Sequence, residues 1–179
     1  MLLTKPNLVI LDTETTGLIS KDPDTKIVQI SLMNNKGKII FSSLVNPGRP
    51  IPPDATVIHG IKDSDVANAP TLRQIAPVLR GFLDGSFLVA YNAGFDIHLL
   101  THRLRDLGIA DKFVFEGVEC VMGLYQEYLQ SVSWRPLPNL SGRESHDSCN
   151  DCYNTWLLLK KIEQGGTPPE HTDEISLDF

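Results

Sequence analysis

Asp12 and Glu14 stand two residues apart in Leu11-Asp12-Thr13-Glu14-Thr15-Thr16-Gly17, just after the apolar run Leu8–Leu11. In an extended strand, residues two apart face the same side and are separated by about 6.6 Å. Carboxylates held that close repel each other unless a positive group lies between them. A hard divalent cation, which prefers oxygen ligands, meets that need. Asp96 follows a second apolar run, in Asn92-Ala93-Gly94-Phe95-Asp96. It falls at the carboxyl end of a predicted strand, where open α/β sheets place their sites. Asp151 and His146 come from a third segment, His146-Asp147-Ser148-Cys149-Asn150-Asp151. Four carboxylates gathered in one cleft need about two divalent ions, and two metals ~3.5–4 Å apart are a recurring arrangement for phosphodiester cleavage. A histidine beside them, titrating near neutrality, would accept the proton of an attacking water.

The elements that must position these groups are legible along the chain. Leu8–Leu11 reads as a buried strand ended by Thr15-Thr16-Gly17. Ile27–Met33 and Lys38–Val45 flank the turn Asn34-Asn35-Lys36-Gly37, which makes a hairpin. Asn46–Asp54, with its four prolines and a glycine, reads as a loop. Asp63 is expected to cap a short helix, and Thr71–Leu83 to form a longer one with Pro77 as a kink point. Phe87–Tyr91 reads as a fourth strand and Val118–Met122 as a fifth, the latter followed by a helix to about Gln130. Apolar residues at 95, 99, 100, 104 and 107 have helical spacing up to Gly108. Ser148–Glu163 is expected to be helical, stopped by Gly165-Gly166, with a loop over Trp134–Glu144 before it. A strand hairpin followed by alternating helices and strands predicts an α/β sheet with helices on its faces.

The 179 residues carry 16 Lys+Arg against 22 Asp+Glu, a formal charge of −6, with 41% hydrophobic and 21% charged residues. That is one domain of ordinary globular composition. Apolar runs such as Leu8–Leu11 and Trp156–Leu159 have four residues, and none approaches the ~20 that a membrane span needs. Lys5, Asp12 and Glu14 interrupt what a signal peptide would need, and three cysteines make no disulfide framework, so the chain reads as cytoplasmic and reduced. An acidic chain is not built to coat nucleic acid non-specifically. Its attraction for nucleic acid would be local, through a metal site or a partner.

The three segments that hold Asp12, Asp96 and Asp151 resemble, in content, order and spacing, the three motifs of the DEDDh exonucleases. Asn46-Pro47-Gly48-Arg49-Pro50-Ile51-Pro52 and Ile58-His59-Gly60-Ile61 resemble the connecting segment of the proofreading (epsilon) subunits of bacterial DNA polymerase III. The resemblance covers roughly residues 8–163. It implies an α/β, ribonuclease H-like fold: a five-stranded mixed sheet flanked by helices. It also implies 3′→5′ exonuclease action on single-stranded DNA ends, releasing nucleoside 5′-monophosphates. Asp12, Glu14, Asp96 and Asp151 would then hold two Mg²⁺ or Mn²⁺ ions, and His146 would be the general base. Backbone at Thr15 and Thr16 would receive the terminal 3′-hydroxyl, Val57 and His59 would line the pocket of the terminal nucleotide, and Asn92 would brace the site.

The chain departs from the family pattern in three places. Gln29 stands where relatives often carry Glu, Ser148 and Cys152 stand where alanines are usual, and the segment from Trp134 to His146 is short. Cys149 and Cys152 form a C-x-x-C with His146 nearby, and read better as small buried hydrophobes than as a zinc or redox site. Arg103, Arg105, Arg135 and Arg143 are candidates for phosphate contact and read mostly as solvated charges.

Residues 1–166 read as the exonuclease domain and 167–179 as a tail. Glu174-Ile175-Ser176-Leu177-Asp178-Phe179 resembles the sliding-clamp-binding hexapeptide that follows epsilon exonuclease domains, with Glu174 replacing the usual Gln. The same chemistry on RNA is an open alternative. So is a non-catalytic module bound to a polymerase or clamp, although the presence of all four carboxylates and the histidine speaks against it.

Overall fold

Leu8, Val9, Ile10 and Leu11 are all buried, so the first strand carries apolar side chains on both faces. That is the pattern of a strand covered on both sides by helices. In the computed structural model, which describes residues 1–109 and 113–165, this strand is β1 (Leu8–Thr15). It is central in a five-stranded sheet of order β3-β2-β1-β4-β5. β2 (Ile27–Asn34) and β3 (Ile39–Leu44) form the expected hairpin and run antiparallel to each other, with β2 antiparallel to β1. β4 (Phe87–Ala90) and β5 (Gly117–Cys120) continue the sheet in parallel on the other side of β1. The sheet is therefore mixed, as the resemblance implied.

The alternation of β1 sorts the two helical layers. Val9 and Leu11 pack with Ile75, Leu79, Leu99 and Leu100, from α3 (Leu72–Leu83) and α4 (Ala93–Asp106). Leu8 and Ile10 pack with Tyr125, Leu158 and Leu159, from α5 (Val121–Tyr128) and α6 (Ser148–Glu163). Asp12 and Glu14 continue the even-numbered set, so they face the layer of α6.

Two local expectations are corrected. The stretch taken as a loop to Asp54 turns helical at Pro53, giving α1 (Pro53–His59). Proline suits the first helical position because its missing N–H has no helical partner there. Gly60, with φ 74°, ends α1 in the left-handed conformation that a side chain would strain. In α2 (Asp63–Val66), Lys62 is the cap residue and Asp63 is already helical. The Asp63 carboxylate instead accepts from the Ile51 N–H at 2.8 Å and ties α2 to the incoming chain. Pro77 lies inside α3 without ending it.

Candidate active site

β4 stops early. Its last pairing with β1 is Val89 with Ile10, so β1 runs on alone past Ala90 on that side. The freed edge of β1 is where the site is built. The Thr13 N–H, with no strand to bond, donates to Asp96 Oδ1 at 3.1 Å, and the Thr13 hydroxyl donates to the same oxygen at 2.7 Å. Asp96 belongs to the first turn of α4, whose N-cap is Asn92; the Asn92 carbonyl accepts from the Asp96 N–H at 3.1 Å. The chain thus turns sharply after β4 and brings Asp96 from the α4 layer round to the end of β1.

From the opposite layer, α6 brings Asp151. One carboxylate oxygen each from Asp12, Glu14 and Asp151 lie within 4.8 Å of one another. Oxygens at that separation can share a divalent ion with bonds of ~2.1–2.5 Å. Asp96 stands beside this trio, not within it, with Oδ1 taken by Thr13, and it raises the proton affinity of Asp12. Three of the four expected carboxylates are therefore brought together, and the fourth adjoins them.

The electrostatics agree with a site that is short of positive charge. Burial first, then neighbouring carboxylates, push Asp12 well above the usual carboxylate range. Glu14 is raised to about 8 by burial and by Asp151, Asp96 and Asp147. Burial also raises Asp96, to about 7, against the opposing hydrogen bonds from Thr13. Asp151 is raised by burial, partly countered by the His146 N–H. Every influence on Asp12 and Glu14 disfavours their charged form. A cation held between the oxygens would offset them by favouring the charged carboxylates, so the residues present fit a divalent metal.

His146 precedes α6 in a left-handed backbone conformation, φ 60°, uncommon for a residue with a side chain. Its N–H donates to Asp151 Oδ2 at 2.9 Å and its side chain is exposed. The short segment before it is pinned at several points. Tyr91 donates its hydroxyl proton to the Arg135 carbonyl at 2.5 Å, Ser141 N–H donates to Asn154 Oδ1 at 2.9 Å, and Asn150 Nδ2 donates to the Glu144 carbonyl at 3.1 Å. Asp147 caps α6, accepting from the N–H groups of Cys149 and Asn150 at 3.1 Å each.

His59, at the end of α1, meets the site from the other side. Its Nδ1 accepts from the Ile61 N–H at 3.1 Å, which leaves the proton on Nε2, 3.2 Å from the Thr15 carbonyl that accepts it. Burial, opposed by the Thr15 contact and reinforced by the charge of His146, lowers its pKa and favours this neutral form. Val57 projects from α1 and is 84% exposed. Thr16 is buried, and its hydroxyl accepts from the Lys26 N–H at 2.9 Å, locking the end of β1 to the start of β2. Asn92 shares an open cleft of about 440 Å³ with Leu18, Ile19, Phe95 and His98. A further cavity of about 390 Å³, lined by Lys26, Asn46, Thr71 and Arg103, contains none of the cluster carboxylates.

Sequence reasoning missed Thr13, which holds Asp96, and the part that Asp147 plays; the only signal was their place inside the motifs. Arg103 is corrected: it is buried, donating to Asp106 Oδ2 at 2.6 Å and to the Pro23 carbonyl at 2.6 Å. Cys149 and Cys152 gather no third metal-ligating group among the described residues, and all three cysteines are free. No helix of the described residues is long and apolar enough to cross a membrane. The tail 174–179 lies outside the described residues.

Comparisons with known proteins agree with this geometry. A family model described as Exonuclease matches residues 9–159. The chain is 32% identical over 175 residues to an uncharacterized exonuclease, CP81, of Escherichia phage 186, covering 88% of this chain and 89% of that one. It is 34% identical over 184 residues to the DNA polymerase III subunit epsilon of Treponema pallidum, covering 93% and 83%. The solved structure of Exonuclease X in complex with 5′ overhanging duplex DNA superposes with a TM-score of 0.64 at 30% identity, covering 90% of this chain and 95% of that one. Three acidic motifs converging at the end of a mixed sheet, and a family match over nearly the whole described chain, lead to one conclusion: this chain belongs to the exonuclease family, as a 3′→5′ exonuclease of the DEDDh type.

Proposed function

We propose that the chain hydrolyses single-stranded DNA from its 3′ end, one nucleotide at a time, with two Mg²⁺ or Mn²⁺ ions, in proofreading or repair. The observation that carries this reading is the convergence of Asp12, Glu14 and Asp151 within 4.8 Å, beside a fourth carboxylate fixed by Thr13. Asp12, Glu14, Asp96 and Asp151 would hold the ions. Bound there, they would supply positive charge to offset that on the attacking oxygen and on the leaving 3′-oxygen. His146 takes the proton of the attacking water. The bond from phosphorus to the 3′-oxygen of the preceding nucleotide breaks, so the phosphate leaves on the 5′ side of the terminal nucleotide. Backbone at Thr15 and Thr16 receives the terminal 3′-hydroxyl. Val57 and His59 form the wall of the terminal nucleotide, and Asn92 braces the site.

DNA as the substrate is supported by the similarity to Exonuclease X, solved with duplex DNA, and to a DNA polymerase III epsilon subunit. The formal charge of −6 favours a subunit that receives DNA from a partner over one that searches for it. Residues 1–166 would be the exonuclease domain, and 174–179 a peptide that binds a sliding clamp. A reducing, cytoplasmic setting suits three free cysteines. The deciding experiment compares the wild type with Asp12→Ala. Loss of metal-dependent nuclease activity with the fold intact supports the enzyme; equal activity in both proteins would remove Asp12 from the cleavage, and no activity in the wild type points to a binding module.

A further inference from the structure

Gln29 sits on β2 directly opposite Glu14, on the sheet face that α6 covers. Its amide makes two bonds to the start of α6. Oε1 accepts from the Ser148 N–H at 3.1 Å, and Nε2 donates to Asp147 Oδ2 at 3.2 Å. The partners fix the amide orientation, because a backbone N–H only donates and an ionised carboxylate only accepts. Two residues along β2, the Ser31 hydroxyl lies 2.6 Å from the Ser148 hydroxyl. One face of β2 is thereby stitched to Asp147 and Ser148, the residues that immediately follow His146.

His146 is held from both sides. Its own N–H goes to Asp151, and the next residue is held by Gln29 while it caps the helix. The left-handed backbone at His146 keeps its geometry only if both neighbours stay in place. We propose that Gln29 is a positioning residue for catalysis, acting through the Asp147 cap to aim His146 at the attacked phosphate. In this chain the neutral amide satisfies both partners at once. A carboxylate at this position could accept from Ser148 but would meet Asp147 with like charge, and an apolar side chain would leave both partners unpaired. This inference rests on His146 being the proton acceptor.

The test is a double-mutant cycle on a 5′-labelled single-stranded DNA oligomer, read in single turnovers so that slow variants remain measurable. The proteins are the wild type, Gln29→Ala, Gln29→Glu, His146→Ala and the double variant Gln29→Ala with His146→Ala. A mispositioned general base costs about 10–100-fold in the cleavage rate, so Gln29→Ala is expected to lose that much with KM and half-saturating Mn²⁺ moved less than about threefold. Gln29→Glu keeps one of the two bonds and falls between the wild type and Gln29→Ala. In the His146→Ala background, Gln29→Ala should cost less than about threefold, because the residue it positions is gone. Equal costs in both backgrounds, or no loss in either Gln29 variant, would overturn the proposal. A fully active His146→Ala would instead overturn the reading of His146 itself. Thermal unfolding of each variant identifies one that fails to fold, and Gln29→Glu, nearly the same shape, keeps the test decisive if Gln29→Ala does.

Discussion

Replacing Glu14 with Gln removes a carboxylate that the metal-free fold holds at a cost. Glu14 is 8% exposed, and burial with Asp151, Asp96 and Asp147 raises it from 4.5 to about 8. Between those values the folded chain keeps a proton that the unfolded chain has lost. Stability therefore falls with rising pH, by about 1.4 kcal/mol per pH unit for one proton. Across that window the loss reaches up to about 5 kcal/mol, and it is absent below pH 4.5, where both states are protonated. Glu14→Gln lacks this loss. In EDTA, its unfolding midpoint should rise relative to the wild type by up to about 10–20 °C at pH 8, on the scale of about 2–4 °C per kcal/mol for a chain of this size, and by much less at pH 5. Added Mg²⁺ or Mn²⁺ should stabilise the wild type at pH 8 by binding only the folded state, and the variant far less. The assay is thermal unfolding at the two pH values, with and without metal. A variant with the same pH slope as the wild type, or one less stable at pH 8 in EDTA, would refute the reasoning that repulsion and burial, rather than favourable contacts, dominate at Glu14.

Other outcomes follow from the same geometry. Thr13→Val keeps the backbone bond to Asp96 but loses the hydroxyl bond of 2.7 Å, and activity should fall about 10-fold or more, as for other residues that orient metal ligands, measured as kcat at saturating Mn²⁺. Val57→Ala trims an exposed side chain; KM for the 3′-terminal nucleotide should rise about 10–20-fold, the loss of roughly two buried methylenes, while stability stays within about 0.5 kcal/mol. Deleting residues 174–179 should abolish co-elution with a sliding clamp and leave activity on free DNA intact; unchanged co-elution would remove the clamp reading.

The sequence carried the strands of the hairpin, the helices after Thr71, Asn92 and Asp147, and the acidic motifs, because each has a local signature: alternation, helical spacing, a cap, a turn. Helix α1 was hidden because four prolines and a glycine read as punctuation, although Pro53 and Gly60 are its natural first and terminal residues. Arg103 read as a surface charge because nothing in its own helix announces the Pro23 carbonyl that receives it. The same limit hid the bonds from Thr13 to Asp96, 83 positions away, and from Gln29 to Asp147, 118 positions away. Local spacing brings acidic residues to strand ends and helix starts. Only the early end of β4 and the two helical layers decide that Asp12, Glu14 and Asp151 meet while Asp96 is held beside them.

Metal-dependent 3′→5′ cleavage is tested on 5′-labelled single-stranded DNA and RNA oligomers of one sequence, with Mg²⁺ or Mn²⁺, and with EDTA and His146→Ala as controls. The expected result is a ladder that shortens by one nucleotide at a time from the 3′ end, faster on DNA, absent in EDTA and strongly slowed in His146→Ala. A faster ladder on RNA would move the substrate to the exoribonuclease reading. The absence of a ladder with either metal, or cleavage that survives EDTA, would overturn the assignment of Asp12, Glu14, Asp96 and Asp151 as a metal-dependent exonuclease site.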